Sequence, residues 1–265
     1  MNASTNLEFL TKIEQSLRAA GREGREVVEI DRFELFIAAS DDFYINYAVP
    51  TSSHETNISW DSAVKTLIQT FANYKRRPRL EMMSGCHPGL GEILEAHGIS
   101  EAGRMPVMVL VPTDFKPFSL ATLPQLQIAD LTTFGEDDLK RYLRQMQVGY
   151  GGPGDESALG WLPTFKHGLQ NGSLTGAALL LDGEIVSGAT VQIGAGIGEL
   201  AGVWTDPTVR QRGFAYRLCH ALLTGYFQKG YILCWLSAAE GAQRLYQKLG
   251  FKEVGIQTNY GLELK

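Results

Sequence analysis

The sequence predicts an α+β protein, a mixed sheet flanked by helices, and three observations carry that expectation. Asp182-Gly183 sits between two apolar runs, 174–181 and 184–193. Asp-Gly at such a place signals a hairpin, because a tight turn needs positive φ at its centre. After Asp206-Pro207 the apolar spacing becomes helical, through Phe214, Leu218, Leu222 and Phe227. Finally, a helix–glycine–strand unit occurs twice, turning at Gly98-Ile99 and again at Gly250-Phe251.

Taken in order, residues 1–21 read as an amphipathic helix with charges throughout, not as a signal peptide. Helices are expected over 58–74 and 88–97, with a strand over 106–112. Residues 126–131 read as a strand. The stretch 136–148 reads as a helix with Leu139, Tyr142, Leu143 and Met146 on one face. A glycine-rich connection, 149–154, leads to a helix over 158–169 and then to the hairpin. The turn Gly194-Ala195-Gly196 precedes a strand over 198–205. The helix after Pro207 should stop near Gly230. A buried strand over 231–236, a helix over 241–249 and strands from Phe251 complete the chain. Superposing Gly98 on Gly250 sets Ile93 against Leu245 and Leu94 against Tyr246, and 58–74 against the helix after Pro207. This reads as an internal duplication with its boundary between 118 and 125, giving domains 1–122 and 123–265, or as a chance recurrence of a common helix–glycine–strand unit.

Composition narrows the function. The chain has 265 residues, 44% hydrophobic and 20% charged, enough to bury a sizeable core. A net charge of −5 argues against nonspecific nucleic-acid binding, which needs clustered Lys and Arg. Cys86, Cys219 and Cys234 form no C-x-x-C pair, and His54, His87, His97, His167 and His220 show no ligand spacing, so no metal is expected. No apolar run is long enough to span a membrane. A cytoplasmic location is expected.

The chemistry concentrates in Val203-Trp204-Thr205-Asp206-Pro207-Thr208-Val209-Arg210-Gln211-Arg212-Gly213-Phe214-Ala215, between a strand and a helix. A loop that opens a helix presents unpaired backbone N–H groups, and the helix dipole adds partial positive charge. Gly213 and Ala215 keep side chains small, and Arg210 and Arg212 bring charge. The same residues also suit a plain strand-to-helix turn with two solvated arginines, and from the loop alone both readings stand. Gly194-Ala195-Gly196 begins a dinucleotide-type glycine pattern, but Glu199 occupies its last position and a strand follows.

With Arg210, Gly213 and Ala215 fitting Arg/Gln-x-x-Gly-x-Gly/Ala, the segment resembles the coenzyme A loop of the GNAT superfamily of N-acetyltransferases. The strand ending Val203-Trp204-Thr205-Asp206-Pro207 fits the resemblance, as does Leu245-Tyr246-Gln247-Lys248-Leu249-Gly250-Phe251. It covers about 123–265, and 1–122 looks like a degenerate copy, as in tandem members. Gln211 stands where many members have glycine, and Ala239 where many have an asparagine that contacts the coenzyme; Ser237 or Glu240 is the expected substitute.

The resemblance implies acetyl-CoA as cosubstrate, held by Val203, Trp204, Thr205 and the loop Arg210, Gln211, Arg212, Gly213, Phe214 and Ala215. It implies transfer of acetyl to a small-molecule or peptide amine by direct attack in a ternary complex. A primary amine titrates near ~10 and a thiol near ~8.5, so both proton transfers need help. Backbone N–H of Val203 or Trp204 is the expected oxyanion donor, and Tyr246 the expected general acid. Glu199 is the candidate general base, because period-2 alternation puts it on one face with Ala201 and Val203. The first half has no counterpart of the loop, only Asn46-Tyr47-Ala48-Val49-Pro50 and a serine-rich turn, so one coenzyme site is expected. The alternatives are a silent acyl-CoA sensor and a transferase of another acyl group.

Overall fold

Residues 3–51, 58–116, 118 and 124–261 are described by a computed structural model of the chain. In the first half the elements are α1 (Ala3–Gly21), β1 (Glu26–Ile30), β2 (Phe33–Ile37), β3 (Tyr47–Pro50), α2 (Trp60–Asn73), β4 (Arg79–Met83), α3 (Leu90–Ala96) and β5 (Ser100–Leu110). Then follow β6 (Leu126–Asp130), α4 (Glu136–Gly149), α5 (Leu162–Asn171), β7 (Leu174–Leu181), β8 (Glu184–Gly194), β9 (Ile197–Thr205), α6 (Phe214–Gln228), β10 (Cys234–Ser237), α7 (Gln243–Leu249) and β11 (Lys252–Gly261). The α+β class is as the sequence predicts. The helix expected over 158–169 is instead a 3-10 stretch, Glu156–Trp161, followed by α5. Pro163 sits in the first turn of α5, where its missing N–H costs nothing, and so marks the true start.

The two halves share one order. A helix, three antiparallel strands, a helix, a strand, a helix and a strand run from α1 to β5 and again from α5 to β11. In each half the three strands pair in sequence and the third pairs in parallel with the fourth, β3 with β4 and β9 with β10. α3 and α7 both have seven residues, and Gly98 (φ 79°) and Gly250 (φ 112°) follow them with positive φ. The serine-rich turn after Pro50 lies largely at 52–57, outside the described residues, as does most of the expected boundary, 119–123.

The chain forms two compact units. The first comprises residues through Met108 together with 237–240 and 253–261; the second comprises Val109–Leu236 and Gly241–Lys252. This differs from a division at 122/123, because the last strand joins the first unit. There β11 lies between β4 and β5 and pairs antiparallel with β4, from Gln257↔Met83 to Gly261↔Arg79. The first unit's core places Phe33, Leu35, Leu80 and Tyr260 from the sheet against Val64, Leu67 and Phe71 of α2. On the other face, α1 is pinned by buried Glu14, which accepts from the Met83 N–H (3.1 Å) and pairs with His87 Nε2 (3.0 Å). The second unit's sheet runs β10-β9-β8-β7-β6. Its core packs Leu139, Tyr142 and Leu143 of α4 and Phe165 of α5 on Ala178, Ile185 and Trp204.

Burial pushes the Cys219 thiol up to about 12, and burial with the Glu14 charge pushes Cys86 up to about 12. Cys234 is raised by burial too. Thiols of the unfolded chain ionise sooner, so the stability these groups contribute is complete below about pH 9 and is lost as pH climbs towards 12. The Tm should be flat from about pH 7 to 9 and about 10 °C or more lower by pH 11. Scanning calorimetry that finds no drop over that interval would contradict the burial of these thiols.

Candidate active site: a bulged strand leading into an uncapped helix

β9 carries the site because it does not keep one register. Against β8, Glu199 faces Gln192 and Ala201 faces Thr190, but Trp204 faces Gly188. Three steps along β9 therefore match two along β8, and Gly202 and Val203 share the place opposite Ala189. This is a β-bulge, and Gly202 has φ 58°, which glycine adopts without steric cost. The bulge corrects the expected facing. Glu199 and Ala201 share a face with Trp204, towards α4, and not with Val203, because the extra residue reverses the alternation. Pairing with β10 is also short, Cys234↔Gly198 and Trp235↔Glu199, whereas pairing with β8 continues to Thr205. Beyond Glu199, the edge of β9 that faces away from β8 has no strand partner among the described residues of the unit.

Two glycines fit Trp204 into the core. A Cβ on Gly149 would meet the Trp204 side chain at 2.9 Å, and one on Gly188 would meet Trp204 Nε1 at 2.3 Å and Tyr142 Oη at 2.4 Å. Both polar atoms are buried and face one another, with no other polar partner among the described residues. Trp204 is therefore a core side chain, and only its backbone is left for chemistry. Gly188→Ala should cost about 1–3 kcal/mol, since neither ring has room to retreat. Urea unfolding tests this, and an unchanged midpoint would contradict the packing.

From Thr205 the chain turns through Pro207–Val209, where the Asp206 carboxylate accepts from the Thr208 N–H (2.8 Å). Gln211 has φ 64° and Gly213 φ 78°. Gln211 thus holds the left-handed backbone conformation that glycine adopts freely, at a cost of about 1–2 kcal/mol. α6 begins at Phe214 with no side-chain cap, so its first N–H groups face the loop. Nothing lies within 4 Å of a Cβ built on Gly213, and Gln211, Arg212 and Gly213 are exposed. Arg210 is exposed too, but its guanidinium is engaged. Its Nε donates to Thr205 O (3.1 Å) and its guanidinium NH2 to Gly149 O (2.7 Å).

Tyr246, on α7, is 7% exposed and packs edge-on against Phe251, ring centroids 5.9 Å apart. Burial holds its phenol above the usual 10, with Cys219 and Tyr150 adding to the effect. Its hydroxyl has no hydrogen-bond partner among the described residues. Tyr150 follows α4 in the glycine-rich connection; it is 61% exposed and its hydroxyl donates to Val203 O (3.3 Å). Sequence reasoning passed over Tyr150, and also Gly202, although a lone glycine inside a strand is a recognised sign of a bulge. Glu199 is partly buried. Ser237 bonds Gln257 through its hydroxyl, and Glu240 is exposed in the turn after β10; both fall in the first unit. His220 is buried against Phe115 and pairs with Lys116 O (3.1 Å), a packing residue.

No group of three or more His, Cys, Asp or Glu among the described residues is arranged to hold a metal ion. No helix among them is long and apolar enough to cross a membrane. No curated protein matches the sequence. Solved structures match it along its length. A GCN5-related N-acetyltransferase from Kribbella flavida superposes with a TM-score of 0.75 at 20% identity, over 97% of this chain and 96% of that one. One from Sphaerobacter thermophilus gives 0.64 at 14%, over 100% and 95%. A tandem GNAT protein from the clavulanic acid biosynthesis pathway gives 0.61 at 11%, over 88% and 79%. At such identities the likeness is one of fold. Residues 141–251, which hold the bulged strand, the loop and Tyr246, match the acetyltransferase (GNAT) family. The match to the acetyltransferase (GNAT) family thus lies in residues 141–251, within a fold similar to that of GCN5-related N-acetyltransferases.

Proposed function

We propose that the second unit transfers an acetyl group from acetyl-CoA to a small-molecule or peptide amine, by direct attack within a ternary complex. The observation that carries this reading is the continuity of an unpaired strand edge, Ala201 to Thr205, with the uncapped N-terminus of α6. That arrangement suits a ligand with an extended amide-bearing arm and a diphosphate. The backbone N–H groups from Gln211 to Ala215, with Arg212 beside them, would hold the diphosphate. Acetyl-CoA, when bound, supplies an activated thioester.

The protein's part is then electrostatic and geometric. Val203 has no register partner on β8 whereas Trp204 pairs with Gly188, which favours Val203 over Trp204 as the donor to the thioester carbonyl. Glu199, on the α4 face of β9, is the proposed base for the amine's proton, acting directly or through water. Tyr246 keeps its own proton across the physiological range because burial disfavours phenolate, so it can give that proton to the departing sulfur. The location remains an expectation of cytoplasm.

Acetyl-CoA and a panel of amines, with thiol release as the readout, test the assignment. At least one amine should raise thiol release well above the amine-free rate. Acetyl-CoA binding without turnover on any amine would instead support a silent acyl-CoA sensor.

A further inference from the structure

The loop motif invites Arg210 to be taken as a phosphate ligand, but its guanidinium is already engaged at both ends of a different task. One nitrogen holds Thr205 O, where β9 ends, and another holds Gly149 O, where α4 ends, at 3.1 and 2.7 Å. Gly149 is buried against Trp204 at closest approach, so the bracket joins two points already in contact through that ring. The next residue is Tyr150, whose hydroxyl reaches back to Val203 O. Arg210, Gly149, Tyr150, Val203 and Thr205 thus form a closed ring of contacts around the bulged end of β9.

We propose that Arg210 is a positioning residue. Its guanidinium braces α4 against β9 and so fixes Tyr150 as a wall beside the unpaired edge, while the diphosphate is left to the backbone N–H groups and Arg212. The proposal rests on the coenzyme reading for that last clause. The brace itself is a property of the protein alone. The 61% exposure of Tyr150, at a side chain held by its hydroxyl, gives the ligand cleft a fixed aromatic face. That face selects what lies beside the thioester.

Amide exchange at the connection reads the brace directly. The Tyr150, Gly151 and Gly152 N–H groups bond to Met146 O, Val148 O and Gln147 O at 3.1, 2.9 and 2.8 Å, so they are protected only while the end of α4 stays in place. Arg210→Gln and Arg210→Lys, compared with Arg212→Gln in ligand-free protein, should both speed exchange there by about tenfold or more. Lysine keeps the charge but lacks the fork that spans two carbonyls. Arg212→Gln should leave these amides as in wild type. In acetyl-CoA titrations, Arg210→Lys should weaken binding as much as Arg210→Gln does. Unchanged exchange in both Arg210 variants would overturn the brace, and so would acetyl-CoA affinity retained by lysine and lost with glutamine, the mark of a phosphate contact. If wild-type protein fails to bind acetyl-CoA, the coenzyme reading falls, and exchange in the ligand-free protein still decides the brace.

Discussion

Gly213→Asp should abolish acetyl-CoA binding without unfolding the protein. The expectation follows from what surrounds Gly213. It is exposed, and a Cβ there meets nothing within 4 Å, so the new side chain has room. The fold need only accept a non-glycine residue at φ 78°, a strain of about 1–2 kcal/mol that Asp tolerates better than most. A carboxylate about 4 Å from a diphosphate, at an effective dielectric near 20, is repelled by about 4 kcal/mol, close to a thousandfold in affinity. Gly213→Ala separates the two effects, since it keeps the strain and omits the charge, and should lose about tenfold or less. Titration calorimetry on both variants, with circular dichroism to verify folding, decides the matter. A folded Gly213→Asp protein with wild-type affinity would remove the diphosphate from this loop.

The second large effect is expected at Tyr246. Tyr246→Phe should lower kcat by about ten- to a thousandfold, while acetyl-CoA affinity changes little. The phenylalanine ring keeps the edge-on contact with Phe251, and the lost hydroxyl has no hydrogen-bond partner among the described residues to leave stranded. The pH profile adds a check. A phenol held above its usual 10 by burial stays protonated where the amine is losing its proton. The wild-type rate should therefore rise with pH and show no falling limb below about pH 10. A falling limb near pH 8, or a Tyr246→Phe enzyme with wild-type kcat in an assay limited by chemistry, would end the general-acid assignment. Glu199→Gln should lower kcat while leaving acetyl-CoA affinity unchanged, the outcome expected of a general base.

Local signals carried much of this architecture. Asp182-Gly183 set the hairpin, Asp206-Pro207 marked the passage from strand to helix, and Gly250 marked the end of α7. Duplication was readable from Gly98 and Gly250, because each ends a seven-residue helix in the left-handed conformation that glycine supplies. What stayed hidden was non-local. β1 carries Glu26 and Glu29 and is largely open to solvent, so no alternation announced it. Nothing near 252–261 shows that β11 will pair with β4, since a strand's partner is chosen by an edge far away in sequence. At the site, the motif Arg210, Gly213 and Ala215 was legible, but the brace was not, because its other end, Gly149, is joined to it only by folding. The facing of Glu199 was misread for one reason. Alternation was carried through Gly202, where the strand gains a residue and the phase reverses.

The central claim is that the open edge of β9 and the start of α6 form one continuous coenzyme site. The measurement that tests it most directly is a crystal structure of the protein with acetyl-CoA. The diphosphate should lie on the backbone N–H groups between Gln211 and Ala215, and the thioester carbonyl should accept from the Val203 N–H. Acetyl-CoA bound away from β9, or with its diphosphate on side chains elsewhere while the loop stays bare, would contradict the account.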